Sequence, residues 1–160
     1  MRGGILIVKT VQMPISFLGS KHTDNVMGRY NQSFQHAHDY FELNFITSGK
    51  TKMKLNERII NYDSFDFILI PPQMQHVLYW SEYEKFDNYV IWFESKDIML
   101  DLTHAIKLHD YDGAVQHLCR EIFRLYTLGG MEQAEIINAY LYTVLLHMRR
   151  GHGDEHSPNQ

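Results

Sequence analysis

The chain has 160 residues, of which 44% are hydrophobic and 21% charged, the composition of one ordinary globular domain. Its 15 basic and 19 acidic residues give a formal charge of −4, which argues against a free-standing nucleic-acid-binding module, since such modules carry a basic excess. Cys119 is the only cysteine, so an internal disulfide is excluded and a reducing compartment is favoured. No apolar run is long enough for a signal peptide or a membrane span. We therefore expect a cytoplasmic protein without a membrane partner.

Turn residues and apolar runs divide the chain into four predicted segments of one structural domain. Scattered glycines in residues 1–28 indicate an N-terminal arm with one or two short strands. Residues 29–96 hold short apolar or alternating runs between turns, which is typical of a β-barrel. Apolar residues at three- and four-residue spacing predict helices in residues 97–150. The polar residues 151–160 are expected to form a disordered tail or linker.

The strands of the predicted barrel follow one another closely. The apolar or alternating runs are Phe34 to Thr47, Lys50 to Leu55, Ile59 to Ile60, Phe65 to Ile70, Gln75 to Trp80 and Asn88 to Phe93. Gly49, Asn56 and the pair Pro71-Pro72 mark turns between them. The pattern predicts a mainly β fold.

Two helices separated by Gly129-Gly130 are predicted to form an antiparallel hairpin after the barrel. Paired apolar residues recur on successive turns of the second helix, so we expect one edge to pack on the barrel and another to pair with a second copy of the chain. The residues predicted at this dimer interface are Ile137, Tyr140, Leu141, Val144, Leu145 and Met148.

A polar segment within the first long run carries the candidate site. Residues two apart share a face of a strand, so a continuous strand would point these side chains the same way: His36, His38, Tyr40, Glu42 and Asn44. The opposite face would carry Ala37, Phe41, Leu43 and Phe45. We expect the barrel interior to cover the polar face and the helix pair to cover the apolar face.

A further histidine, His76, follows Pro71-Pro72 at the start of a later strand and could join His36, His38 and Glu42. Three imidazoles and one carboxylate are donors that suit one divalent ion, such as zinc, nickel, manganese or iron. Alternatively, the imidazoles bind Glu42 or backbone carbonyls and hold no ion.

Side chains that share the inward face with the cluster are candidates for lining an effector pocket. They are Tyr40, Asn44, Leu78 and Trp80, which offer aromatic faces, one amide and few charges. The alternative is ordinary filling of a narrow barrel, which leaves no room for a ligand.

The order and spacing of these residues resemble the cupin superfamily and, more fully, the effector-binding domain of AraC-type bacterial transcription regulators. The residues that carry the resemblance are His36-x-His38-x3-Glu42-x6-Gly49, then Asp66, Pro71, His76 and the run Ile91 to Phe93. The resemblance implies a cupin-like jelly-roll β-barrel followed by a C-terminal helical hairpin that pairs subunits.

The chain departs from the cupin pattern at four positions. Tyr30, Phe65 and Gln73 stand where the motifs carry glycine, and Trp80 stands where the second motif ends in asparagine. These departures weaken the case for a working metalloenzyme more than the case for the fold.

The function implied by the resemblance is that of a sensor. We expect a domain that binds a small effector, a sugar or an aromatic metabolite, forms a homodimer, and contacts DNA only through a helix-turn-helix half absent from this chain. The alternatives are a metal-dependent cupin enzyme, an oxygenase or isomerase using the same four donors, and a dimerisation module with a filled barrel. The sequence contains no phosphate-binding glycine loop, nucleophile elbow or HExxH motif.

Overall fold

The computed structural model describes residues 15–24, 32–80, 85–96, 103–130 and 133–154, with the side chains of the last helix described as far as Arg150. The strands are β1 (Ile15–Asp24), β2 (Phe41–Ser48), β3 (Lys50–Leu55), β4 (Arg58–Asp63), β5 (Asp66–Ile70), β6 (His76–Trp80), β7 (Asp87–Ser95) and β8 (Ile106–His109). The helices are α1 (Ala114–Leu128) and α2 (Gln133–Asp154). No helix in these residues is long and apolar enough to cross a membrane.

Two antiparallel sheets pack face to face. The larger has the strand order β1-β7-β2-β5-β8 and the smaller the order β4-β3-β6. Ile46 and Ile68 of the larger sheet meet Met53, Tyr62 and Leu78 of the smaller one in a buried cluster. The predicted mainly β jelly-roll fold with a helical hairpin is confirmed.

The other face of the larger sheet is covered by the two helices. Alternation along β2 sends Phe41, Leu43 and Phe45 to this side, because neighbouring side chains of a strand point to opposite faces. They pack in one cluster with apolar residues of both helices, including Cys119 and Leu141. The prediction that the apolar face of this strand meets the helix pair is therefore confirmed.

The turn between β2 and β3 requires glycine. Gly49 has a φ of 94°, in the region that residues with a Cβ rarely adopt. A Cβ there would lie 2.5 Å from the carbonyl oxygen of Lys85. The close approach of this backbone lets the chain pass directly from the larger sheet to the smaller one.

The first long run is not one strand. Residues 32–40 form isolated bridges at Gln32 and His36, and regular pairing begins only at Phe41. Ala37 is exposed rather than packed against the helices. Asp39 and Tyr40 form a bend, so the alternation that continues through them in the sequence does not reflect one straight strand.

The predicted segment boundaries also need correction. The region 97–150 contains β8, which pairs with β5 and extends the larger sheet. At the other end, α2 continues to Asp154, so the predicted tail is helical over residues 151–154. Within the predicted arm, Ile15–Asp24 is a long strand paired with β7. Residues 1–14, 25–28 and 155–160 lie outside the described residues.

The six side chains predicted at a dimer interface are mostly interior. Tyr140 is half-buried, and the other five belong to the core of their own chain: Ile137, Leu141, Val144, Leu145 and Met148. Their side chains are buried against α1 and the larger sheet. These five side chains are therefore not a free surface on which a partner could dock.

At two positions where the cupin motifs carry glycine, this chain has a left-handed backbone with a different residue. Phe65, in the turn between β4 and β5, has a φ of 68°, and Gln73 has a φ of 64°. A side chain in this region costs free energy because its Cβ approaches the following carbonyl oxygen.

We expect Phe65→Gly to be more stable than Phe65→Ala by about 1 kcal/mol, a difference of about 2–4 °C in Tm. Both variants lose the aromatic ring, and only the glycine variant loses the Cβ that opposes this φ. Differential scanning calorimetry measures the comparison. An alanine variant as stable as the glycine variant would contradict the strain at this turn.

Candidate functional site

Four predicted donors come together at one end of the barrel. His36, His38, Glu42 and His76 each offer a ligand atom, and these atoms all lie within 4.8 Å of one another. Glu42 and His76 are 5% and 3% exposed, whereas His36 lies on the exposed rim and His38 is half-buried between them. The cluster thus reaches from the barrel interior to its mouth.

A backbone bridge holds the rim of the site. The amide of His36 donates to the carbonyl of His76 (3.2 Å), and the amide of His76 donates back (3.0 Å). This pair places the irregular segment 32–40 against the start of β6. The histidines that parity selected, His36 and His38, do lie beside Glu42, although a bridge to β6 and not a continuous strand holds His36 there.

All three imidazoles are oriented by the same local hydrogen bond. Nδ1 lies 2.8 Å from the carbonyl oxygen of Phe34 in His36, 2.8 Å from that of Tyr40 in His38, and 2.9 Å from that of Met74 in His76. A carbonyl only accepts, so each Nδ1 carries the proton and each Nε2 is left as the free ligand atom. Metal-binding histidines are typically fixed in this way.

The free nitrogens converge on one carboxylate oxygen. Oε2 of Glu42 lies 3.3 Å from Nε2 of His38 and 3.6 Å from Nε2 of His76. Nε2 of His76 is buried and has no hydrogen-bond partner. Two neutral imidazole nitrogens and a carboxylate are all acceptors, so this arrangement is satisfied by a second proton on an imidazole, by a donor such as water or a ligand hydroxyl, or by a metal ion. The donor set therefore fits a divalent ion held by Glu42 and the three Nε2 atoms.

The electrostatics agree with a need for positive charge. Burial alone would raise the pKa of Glu42, but the hydrogen bond with His38 and the nearby His76 hold that pKa well below its usual range. Burial lowers the pKa of His76, and the adjacent Glu42 carboxylate outweighs that effect, so the net pKa of His76 is raised. Without metal, Glu42 is therefore an anion that keeps a proton on its imidazole neighbour.

Trp92 is a member of the site that sequence reasoning did not select. Its indole Nε1 donates to Oε2 of Glu42 at 2.9 Å, because Trp92 lies opposite Glu42 in the β2–β7 register. The buried Ile91 and Phe93 on either side face the helices, so Trp92 faces the barrel; three apolar residues in a row do not reveal this face in the sequence.

The predicted pocket-lining residues have different surroundings. Tyr40 lies at the rim, its ring stacked 4.1 Å from that of His38. Asn44 is buried, donates to Oε1 of Glu42 (3.5 Å) and accepts from Asn88 (3.2 Å). Leu78 and Trp80 pack with the interior cluster of the barrel. Their part in binding an effector stays a prediction.

A comparison with family models decides the family. The model of the AraC-like ligand binding domain matches residues 28–145. The chain belongs to this family. The match spans the barrel, the four donors and most of the helical hairpin, and it confirms the resemblance found in the motifs. None of the curated protein sequences compared with the chain matches it.

Three solved structures are similar to the chain. YhaK from Escherichia coli has a TM-score of 0.51 at 13% identity, with 62% of this chain and 45% of that chain covered. The plu4264 protein of Photorhabdus luminescens gives 0.43 at 25% identity, covering 57% and 72% of the two chains. A Cupin 2 conserved barrel protein from Salinispora arenicola gives 0.42 at 19%, covering 55% and 70%. The chain aligns with less than half of the length of YhaK, and this likeness shows the fold alone.

We expect the Tm of the metal-stripped protein to fall as the pH rises from about 6.5, the ordinary pKa of histidine, into the alkaline range. The pKa of His76 is raised in the folded protein. The resulting stabilisation is complete at pH values below the pKa of the unfolded state, and it is lost as the pH rises through the pKa of the folded state. In Glu42→Gln the fall should be smaller, because the amide holds no proton on His76. Thermal melts across this range make the measurement.

Glu57→Gln is the matched control, since it removes the same charge from an exposed side chain. Its pH slope should equal that of the unmodified protein. Equal slopes for all three proteins would contradict the coupling of Glu42 to His76.

Proposed function

We propose that the chain is the effector-binding and dimerisation domain of an AraC-type transcription regulator, with its effector bound at the barrel mouth beside His36, His38, Glu42 and His76. The observation that carries this proposal is the convergence of four oriented donors within a domain of the AraC-like ligand-binding family. A buried group rich in hydrogen-bond acceptors is costly for stability unless a proton, a donor or a metal ion lies among them, and it is therefore suited to binding.

Each residue has a distinct role in this proposal. Glu42 and His76 supply the deep, fixed end of the site, and Trp92 and Asn44 hold the Glu42 carboxylate by hydrogen bonds. The exposed His36 and the stacked pair of His38 and Tyr40 contact the effector at the rim. A bound divalent ion would add a positive centre that attracts hydroxyl or carboxylate oxygens of a sugar or an aromatic metabolite.

Strand β7 offers a route from the site to the helices. It carries Trp92 and lies between β2 and β1 in the sheet. The amide of Phe17 in β1 donates to Oδ1 of Asn138 in α2 at 2.9 Å. Suppose that the site and the helical hairpin move together between two conformations. An effector that binds one of these conformations more tightly would then shift the equilibrium toward it, by the difference in its binding free energy for the two.

The outward face of α2 is the surface we assign to pairing. Ile136, Ala139, Thr143 and Leu146 follow the three-and-four spacing of a coiled-coil seam. Ile136 is 45% exposed and Leu146 is 39% exposed, so this stripe is accessible where the five core residues are not. A second copy of the same helix is its proposed occupant, in a symmetric pair.

The remaining parts of the proposal concern the whole regulator. The acidic balance of the chain fits a domain that leaves phosphate contacts to a separate DNA-binding half. Because a bacterial transcription regulator acts on DNA, the proposed function also implies a cytoplasmic protein.

A metal-dependent enzyme is the second candidate, and the four-donor group itself favours it. The same group serves an enzyme or a sensor, because fold and ligands do not specify a reaction. In the enzyme, Glu42 and the three histidines would hold the ion, and the ion would activate the substrate.

We expect chelator-stripped protein refilled with zinc, nickel, manganese or ferrous iron to bind one ion per chain, and His76→Ala to bind none. His104→Ala, which removes an exposed histidine outside the cluster, is the control and should bind as the unmodified protein does. Elemental analysis after gel filtration gives the stoichiometry. Sugars and aromatic metabolites are then screened by thermal shift with and without the ion.

A compound that raises Tm without being consumed, and that loses its effect in His38→Ala, supports the sensor. Turnover by the metal-loaded protein supports the enzyme instead. The sensor proposal is contradicted if every compound leaves Tm unchanged in both forms.

We expect Leu146→Glu to convert a dimer into a folded monomer, because it places a charge in the pairing stripe. Ala134→Glu adds the same charge to an exposed position of α2 away from the stripe, and it should remain dimeric. Sedimentation velocity gives the mass and circular dichroism confirms folding. Dimers that survive Leu146→Glu would place the interface elsewhere.

A further inference from the structure

The indole of Trp92 reaches from the four-donor group to another strand of the larger sheet. Its Nε1 donates to Oε2 of Glu42 in β2 at 2.9 Å. On its other side, Trp92 is paired with Gly19 in the β1–β7 register. A Cβ at position 19 would lie 3.4 Å from Cε3 and 3.8 Å from Cζ3 of the indole. One end of the ring system therefore lies at the carboxylate, and the other lies against the backbone of β1.

The absence of a side chain at position 19 permits this orientation. A single methyl group on Gly19 would already touch the six-membered ring of Trp92, and a larger side chain would need the space that the ring fills. Glycine in a strand often marks such a close approach. Because β1 has no side chain here, the six-membered ring lies over β1 and the Nε1–H group is directed toward Glu42.

Strand β1 is irregular beside this contact, and both helices are attached to it there. Its register with β7 shifts between Phe17 and Gly19, and Leu18 is 46% exposed, as in a β-bulge. The rings of Phe17 and Tyr126 of α1 meet edge-on with centroids 5.4 Å apart. The amide of Phe17 donates to Asn138 of α2. The bulge therefore lies between the indole of Trp92 and the helical hairpin.

The oxygen that accepts from the indole is also the one that a ligand of the site would bind. Oε2 of Glu42 faces Nε2 of His38 at 3.3 Å and Nε2 of His76 at 3.6 Å. Hydrogen bonds to a charged acceptor are about twice as strong as those to a neutral one. A divalent ion held by Oε2 and the imidazoles would neutralise the charge of the carboxylate, and it would therefore weaken the hydrogen bond from Trp92.

We propose that Trp92 is a positioning residue that links occupancy of the four-donor site to the bulge of β1. Without an ion, the hydrogen bond to Glu42 holds the indole over Gly19 and keeps the bulge closed. With an ion bound, this hydrogen bond weakens, the ring gains freedom, and the backbone of β1 at the bulge loosens. The role rests on ligand binding at the four-donor site, as proposed above, and it supplies the step by which such binding reaches the helices.

Zinc is the probe, and hydrogen–deuterium exchange measured by mass spectrometry is the readout. Saturating zinc should raise the exchange rate of the amides of β1 at least threefold, because the bulge opens locally. The amides of β3, in the other sheet, should keep their rates or exchange more slowly. A ligand that binds the native state stabilises the whole fold, so faster exchange confined to β1 is not an effect of overall stability.

Trp92→Phe keeps an apolar ring and removes the N–H donor. It should bind zinc about tenfold more weakly, since it removes a partner that orients a ligand of the ion. At saturating zinc, the exchange rates of β1 should equal those of the same variant without metal. A variant that binds zinc and still shows the faster exchange of β1 would overturn the proposal.

Trp80→Phe is the matched control, because the chain has two tryptophans and Trp80 packs with the interior cluster of the barrel. Its β1 amides should respond to zinc as those of the unmodified protein do. It also leaves Trp92 as the only tryptophan, so its fluorescence reports on that indole in a protein whose site is unaltered. We expect its emission maximum to shift when zinc binds.

Two outcomes separate this proposal from the function proposed above. Bound zinc with unchanged emission of Trp92 and unchanged exchange of β1 would overturn the role of Trp92 and leave the metal site in place. An unmodified protein that binds no zinc would contradict both the metal site and the link to β1.

Discussion

The rest of this site depends on one buried carboxylate. Glu42 accepts a hydrogen bond from the indole of Trp92, contacts the amide of Asn44 and faces the free nitrogens of His38 and His76. An anion at this depth is expensive unless positive charge lies beside it. A proton or a metal ion can supply that charge, so the state of this carboxylate links acidity, metal binding and effector binding at the barrel mouth.

Strand β2 makes such a site possible because its two faces do different work. Its inward face carries Glu42 and Asn44 into the barrel, and its outward face buries Phe41, Leu43 and Phe45 under the helices. The helix pair keeps the strand dry on its far side and fixes its position. The irregular segment 32–40 then adds the exposed histidine and the aromatic rim without interrupting the sheet.

Much of this architecture follows from the sequence, and the failures have physical reasons. Alternating runs and helical spacing predicted the barrel and hairpin. The shared parity of His36, His38 and Glu42, with the position of His76 after Pro71-Pro72, predicted the cluster. Polar and apolar residues alternate in the sequence across Asp39 and Tyr40, so the pattern predicted a continuous strand where the structure has a bend. The apolar stripe of α2 was predicted to form a dimer interface because the sequence of a helix shows which face is apolar but not what covers it. Here the larger sheet and α1 cover most of that face. The face of Trp92 depended on a strand register that only the assembled sheet defines.

The left-handed turns at Phe65 and Gln73 bear on how such domains are found. In both turns the backbone is left-handed, although glycine, the residue that adopts this conformation at the lowest cost, is absent. A motif written as obligatory glycines would pass over this chain. A motif that requires a positive φ at these positions, and not glycine itself, would include this chain. It would also identify positions where a change to glycine is expected to stabilise the barrel.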